Sequence, residues 1–312
     1  MRSVVAFGEA LGLLVADRGL PLGVAHQFTR SVAGSESNVA IGLARLGHPV
    51  RFLGSVGADA PGSWVRDTLR AEGIDISGLR IDDARSTGLL LRDAPIGRPL
   101  TVSYYRGGSA GSMFDPSNLT PEVFVGADAL FVSGISLMLA GRTAVSAERL
   151  LDLAAEAGVH VFLDPNVRER LAPIDSWRSR LTEILPRIDT LLVGEQELAS
   201  LDWAADGNEL LSDRLSTVVV KRGVDGAECI TATDRLHAAA RVINTVDPVG
   251  AGDAFTAGWI AAWSRGANHH RCLEEANVVA SLVVSTMTDI AGLPTSAERD
   301  RIMYGSGADV DR

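Results

Sequence analysis

Cysteine is scarce in this chain. Of 312 residues only Cys229 and Cys272 carry a thiol, so no disulfide framework is available and a reducing compartment is expected. A basic excess is also missing. Asp and Glu number 39 against 29 Lys and Arg, a formal charge of −10. That balance argues against a nucleic-acid partner, which favours a basic surface, but leaves small anions open, since a local arginine cluster suffices for them. No apolar run approaches the ~18 residues of a membrane span. The run in M-R-S-V-V-A-F-G-E is too short for a signal peptide, so the expectation is a cytoplasmic protein with no membrane partner. Internal repeats and low-complexity blocks are absent. Two phosphate-binding strings are missing as well. There is no G-x-x-x-x-G-K-[ST], which excludes a P-loop enzyme. There is no G-x-G-x-x-G either, because Phe255 stands where the third glycine would follow Gly250 and Gly252, which argues against a dinucleotide fold.

What is present is ordinary for a globular protein: 46% apolar and 22% charged residues, with enough length for a large core. Short apolar runs read as buried strands at Val4–Phe7, Val50–Leu53, Ala129–Val132, Val159–Leu163, Thr190–Val193 and Val218–Lys221. Between them, amphipathic stretches read as helices at Glu36–Leu46 (with Gly47 as its stop), Ser63–Glu72, Thr143–Ala157 (ended by Gly158), Trp177–Leu185 and Glu195–Leu201. Such alternation predicts a mostly parallel sheet covered on both faces. Residues 11–33 and 86–106 break it. Their strand-like patches, Leu11–Val15, Thr87–Leu91 and Leu100–Tyr105, suggest a small antiparallel sheet of their own. The last residues, 305–312, are small or charged and read as a disordered tail.

The string that carries most chemistry is Asp247-Pro248-Val249-Gly250-Ala251-Gly252-Asp253, followed by Ala254-Phe255-Thr256-Ala257-Gly258. Small residues make a tight turn, and the apolar run to Trp263 reads as a buried helix. The amides around Gly250, Ala251 and Gly252 then lie unpaired at a helix N-terminus, where donors and dipole favour an anion. Asp253 in the first turn is itself an anion. Alone, it could be a plain stabilising first-turn carboxylate. Together with the amides it suits phosphoryl transfer to a hydroxyl: the amides hold the phosphoryl oxygens and the carboxylate takes the alcohol proton.

D-P-V-G-A-G-D-A-F-x-A-G resembles the C-terminal signature of the ribokinase-like (phosphofructokinase-B type) sugar kinases. The likeness extends to about Pro294 and, within the family, is strongest to the 2-keto-3-deoxygluconate kinases. It implies a three-layer α/β/α fold in a single kinase domain. The patches of 11–33 and 86–106 would form a lid over the sugar, and that lid is often a dimer surface, so a homo-oligomer is expected. It implies ATP as phosphoryl donor and Mg²⁺ as cofactor, with K⁺ or another monovalent cation near Asp247.

On the sugar side, Ala33-Gly34-Ser35-Glu36-Ser37-Asn38 resembles the family's first signature, with Gly34 letting the backbone approach a polyol and Asn38 offering donor and acceptor. Tyr104-Tyr105-Arg106-Gly107-Gly108-Ser109-Ala110 and Asp164-Pro165-Asn166-Val167-Arg168 are what the resemblance associates with a keto sugar acid. Arg106 and Arg168 would grip its carboxylate, and Tyr104 and Asn166 its polar groups. On the nucleotide side the resemblance points to Lys221, Gly223 and Gly226, and to Asn277 and Ser281 near the adenine. Glu197 would organise water around Mg²⁺. Two departures stand out: Gly194 where the family's metal motif has Asn, and Leu90 where a Tyr is usual. At a helix N-terminus, Asp253 is expected to be a weak base. Alternatives are a fructokinase or other ketose kinase, a catalytically silent sugar binder, and a serine hydrolase on the G-x-S-x-G match at Gly107–Gly111. The last lacks the strand–turn–helix context.

Overall fold

The computed structural model describes residues 1–17, 19–93, 100–204, 207–241 and 243–305. The tail expected at 305–312 lies, from residue 306, outside the described residues, as do parts of the two expected lid segments. Among the described residues a nine-stranded sheet runs in the order Arg235–Ala238, Ala227–Ile230, Thr217–Lys221, Thr190–Gly194, His160–Asp164, Ala129–Ser133, Val4–Phe7, Val50–Gly57, Leu79–Asp82. Pairing is parallel from Thr217–Lys221 through to Leu79–Asp82. The last two strands at the other edge form an antiparallel hairpin.

Strand side chains alternate between two cores, as the period of two requires. Val4, Ala6, Phe131, Phe162 and Val219 pack on one face with residues of the helices Ser35–Arg45, Ala251–Ser264 and His269–Val283. Val5, Phe7, Val132, Leu163 and Val220 pack on the other with Arg142–Ala157 and Ile174–Ile184. The predicted helices stand within a few residues of their expected ends, and Gly47 and Gly158 follow two of them at φ +86° and +66°. These are the left-handed values that terminate a helix cheaply only with glycine.

A second sheet has the order Phe28–Ala33, Leu11–Ala16, Leu89–Arg92, Val102–Tyr105. It is mixed, where an antiparallel sheet was expected. Its outer pairings are antiparallel, but Leu11–Ala16 and Leu89–Arg92 run parallel because a long crossover through the main sheet separates them. Leu11, Leu13, Val15, Ala33 and Leu90 give it a small core of its own.

Candidate active site

The main parallel strands all point their C-terminal ends to one edge, where open α/β sheets place ligands. Glu9 follows Phe7 there, Asp164 ends its strand with Asn166 and Arg168 just beyond, and Lys221 ends another. The helix Ala251–Ser264 begins at the same edge, with Gly250 as its N-cap at φ +86°.

Asp253, in the first turn of that helix, is 9% exposed. Its Oδ1 accepts hydrogen bonds from Ser35 Oγ at 2.7 Å and Asn166 Nδ2 at 3.2 Å, and its Oδ2 accepts one from Asn38 Nδ2 at 2.8 Å. Asn166 sits at φ +46°, a conformation Asn tolerates better than most residues, and also donates to Ser35 Oγ at 2.8 Å. The expectation of a weak base is corrected. Burial pushes the Asp253 carboxyl up to about 6, the Asp164 charge adds to the rise, and the hydrogen bonds from Asn38 and Ser35 only partly oppose it. Loss of water outweighs the helix terminus. The expectation that all the turn's amides are free also needs correction. The Ala251 N–H turns back onto the Pro248 carbonyl at 3.3 Å.

Two cavities meet at this turn. A cavity of about 110 Å³ is lined by Gly34, Asn38, Asp253 and Gly250 from below, by Leu90, Arg92, Tyr104 and Arg106 from the small sheet, and by Asn166 and Arg168 from the side. Gly34 is required there. Its φ is +127°, and a Cβ would collide with the Glu9 carbonyl oxygen. On the other side a largely apolar cleft of about 410 Å³ is lined by Lys221, Gly223, Gly226, Ala251, Gly252, Asn277 and Ser281, among others. The structure thus gathers the sugar-side and nucleotide-side residues selected from the sequence into two groups on either side of the turn from Pro248 to Asp253, while Glu197 and Asp247 line neither cavity.

Several of them are engaged differently from expectation. Arg106 is not a free carboxylate reader. It forms a buried ion pair with Glu9, whose other oxygen accepts the Ser109 hydroxyl at 2.6 Å. Burial raises the Glu9 carboxyl despite the pull of Arg106 and Ser109. Ser109, the residue of the G-x-S-x-G match, donates to the Glu9 carboxylate, which Arg106 already engages through its other oxygen. Arg168 is exposed and, among the described residues, donates to the neighbouring Val167 carbonyl at 3.0 Å. Asn277 spends its amide N–H groups on the carbonyls of Ala238 and Ala239, at 2.9 and 3.2 Å, and Ser281 donates to Val278 O at 2.8 Å. Both shape the cleft wall, with their donors turned into the protein.

Glu197 accepts the N–H groups of Val167 and Gly194, each at 2.7 Å, so it holds two strand ends together. Burial first, and then the charge of Asp164, raise its carboxyl. Asp164 Oδ2 accepts Lys221 Nζ at 2.7 Å and Thr256 Oγ1 at 2.9 Å, while its buried Oδ1 has no hydrogen-bond partner. Burial lowers the Lys221 ammonium, but Asp164 and Glu197 outweigh it and the net shift is upward. An orphaned carboxylate oxygen beside a second carboxylate is a donor set that fits Mg²⁺. The expected monovalent-cation site does not fit. The Asp247 carboxylate is already paired with the buried guanidinium of Arg92, at 2.7 Å.

Sequence reasoning missed Ser35, Glu9, Arg92 and Asp289. Ser35 lay inside a quoted motif and could have been found. The others have no local signal, since their partners are far away in the chain.

The profile of pfkB family carbohydrate kinases matches residues 1–296. A 2-dehydro-3-deoxygluconokinase of Bacillus subtilis is 32% identical over 298 residues, covering 93% of this chain and 92% of that protein. A 2-dehydro-3-deoxygalactonokinase of Haloferax volcanii is 29% identical over 315 residues, 99% of each. The crystal structure of a fructokinase with bound ATP from Xylella fastidiosa superimposes with a TM-score of 0.85 at 22% identity, covering 96% of this chain and 98% of that one. The fold is the ribokinase-like three-layer arrangement.

Proposed function

The chain belongs to the pfkB family of carbohydrate kinases, and from that premise we propose that it transfers the γ-phosphoryl of ATP to the C6 hydroxyl of 2-keto-3-deoxygluconate or a closely related keto sugar acid. One observation carries the reading. The turn from Pro248 to Asp253 is a wall common to a small cavity lined by charged and amide side chains and a largely apolar cleft, with the raised carboxylate on the first side and Ala251 and Gly252 on the second.

Asp253 accepts the hydroxyl proton. A carboxyl at about 6 is a better base than a solvated aspartate and is still ionised at neutral pH. Asn38, Ser35 and Asn166 fix its orientation, so the attacking oxygen meets one geometry. The first-turn amides of Gly252 and Asp253 and the helix dipole hold the charge on the phosphoryl oxygens. Lys221, held by Asp164, adds a positive charge at the cleft wall; a Cβ on Gly252 would lie 3.7 Å from its Nζ. Asp164 and Glu197 would hold Mg²⁺, which when bound neutralises phosphate oxygens. The small sheet acts as the lid, bringing Leu90, Tyr104 and Arg106 over the sugar and excluding water.

Arg168 is the carboxylate reader in this account. The relatives named for keto sugar acids support that choice of substrate. A neutral ketose such as fructose is the second reading, favoured by one observation: Glu9 already neutralises Arg106, so the cavity is less cationic than its arginines suggest. Replacement of Arg168 by Ala separates them. The acid reading predicts a KM for 2-keto-3-deoxygluconate raised by tenfold or more, the order expected for a lost charge-assisted hydrogen bond, with fructose kinetics unchanged. Equal effects on both sugars would remove Arg168 as a carboxylate reader.

A further inference from the structure

The strand Leu89–Arg92 of the small sheet ends in a charge that the kinase chemistry above does not use. Arg92 is 1% exposed. Its Nη2 lies 2.7 Å from Asp247 Oδ2 and 3.7 Å from Asp289 Oδ1. Both acids are themselves buried. They flank the phosphate turn. Asp247 opens it and accepts the Val249 N–H through Oδ1 at 3.0 Å. Asp289 presses its backbone on Gly250, where a Cβ would come within 2.6 Å of the Asp289 carbonyl oxygen.

Two buried carboxylates facing one guanidinium repel each other and need a cation. Burial pushes Asp289 up to about 6, Arg92 pulls it down, and Asp253 and Asp247 add to the rise. The guanidinium contributes charge more than directed bonds, since its Nε, Nη1 and Nη2 all lack a hydrogen-bond partner. We infer that Arg92 is a tethered counter-cation for the Asp247–Asp289 pair. It fills the place where a monovalent cation is expected from the sequence, and it ties the small sheet to the turn that binds phosphate. Arg92 is then a positioning residue: it keeps Gly250 and its neighbours in shape, and the protein has no need of K⁺.

Thermal unfolding at pH 8, above the range where Asp289 takes a proton, tests this without any substrate and so independently of which sugar is phosphorylated. For the native chain, replacing choline chloride by KCl at equal ionic strength is expected to leave Tm unchanged within ~1 °C. Arg92→Gln is expected to gain ~2 °C or more from KCl, or from guanidinium at ~20 mM, far below denaturing concentrations. Arg92→Lys, which keeps the charge, is expected to gain nothing from either ion. A native Tm that rises with KCl overturns the inference. So does an Arg92→Gln protein indifferent to both ions, or an Arg92→Lys protein that needs K⁺. If the Gln variant does not fold, the native and Lys proteins still decide it.

Discussion

At the scale of single residues, the proposed chemistry depends on one carboxyl in two conflicting environments. A helix N-terminus favours the charged form of Asp253, burial disfavours it, and burial wins, setting the group at about 6. The sequence displayed Asp253 and its helix, but its burial depends on Ser35, Asn38 and Asn166, which come from far along the chain. Since the base must be ionised, kcat/KM is expected to be flat above pH ~7 and to fall about tenfold per unit below pH 6. Asp253→Asn is expected to fold, lose at least ~100-fold in rate and lose that acid limb. A native profile flat down to pH 5, or an Asn variant near normal, would remove the base assignment.

At the scale of elements, legibility followed burial and punctuation. The helices Arg142–Ala157 and Ala251–Ser264 could be read from their apolar faces and flanking glycines. The hairpin of Ala227–Ile230 and Arg235–Ala238 was not anticipated. It lies at the sheet edge and carries Glu228, Arg235 and His237, so its apolar pattern is diluted. The strand Leu79–Asp82 at the opposite edge is half-buried and charged for the same reason. The parallel pairing inside the small sheet depends on a crossover that no local pattern records. Close approach was legible where glycine marked it. Gly34 at φ +127° meets the Glu9 carbonyl, whereas Gly73 at φ +80° has open space. Gly73→Ala is expected to cost ~1 kcal/mol from backbone strain alone, and Gly34→Ala at least ~1 kcal/mol more because of the collision. Denaturant unfolding of both measures the difference, and equal losses would mean that Gly34 is not confined by Glu9.

At the scale of the whole molecule, the fold places its chemistry where two cores, two sheets and one helix terminus meet. The main sheet supplies Glu9, Asp164 and Lys221 from strand ends, the small sheet supplies the roof, and the helix from Ala251 supplies the proposed base and amides. The family and its fold were therefore readable in the sequence, because the motif residues sit at element ends in a fixed order. The ion pairs Glu9–Arg106 and Arg92–Asp247 were not. The first joins the small sheet to the end of a main-sheet strand and the second joins it to the turn before the helix from Ala251, and nothing local marks either partner. Those pairs decide how much positive charge is left for a substrate, so the identity of the sugar is where the account is most exposed. The most direct measurement is ADP release from ATP and Mg²⁺ across 2-keto-3-deoxygluconate, its galactonate epimer, fructose, ribose and a nucleoside. The account predicts turnover with the keto acids and at least ~100-fold lower kcat/KM for the neutral sugars. Preference for fructose or ribose would contradict it and point to Leu90 and the Glu9–Arg106 pair as the reason.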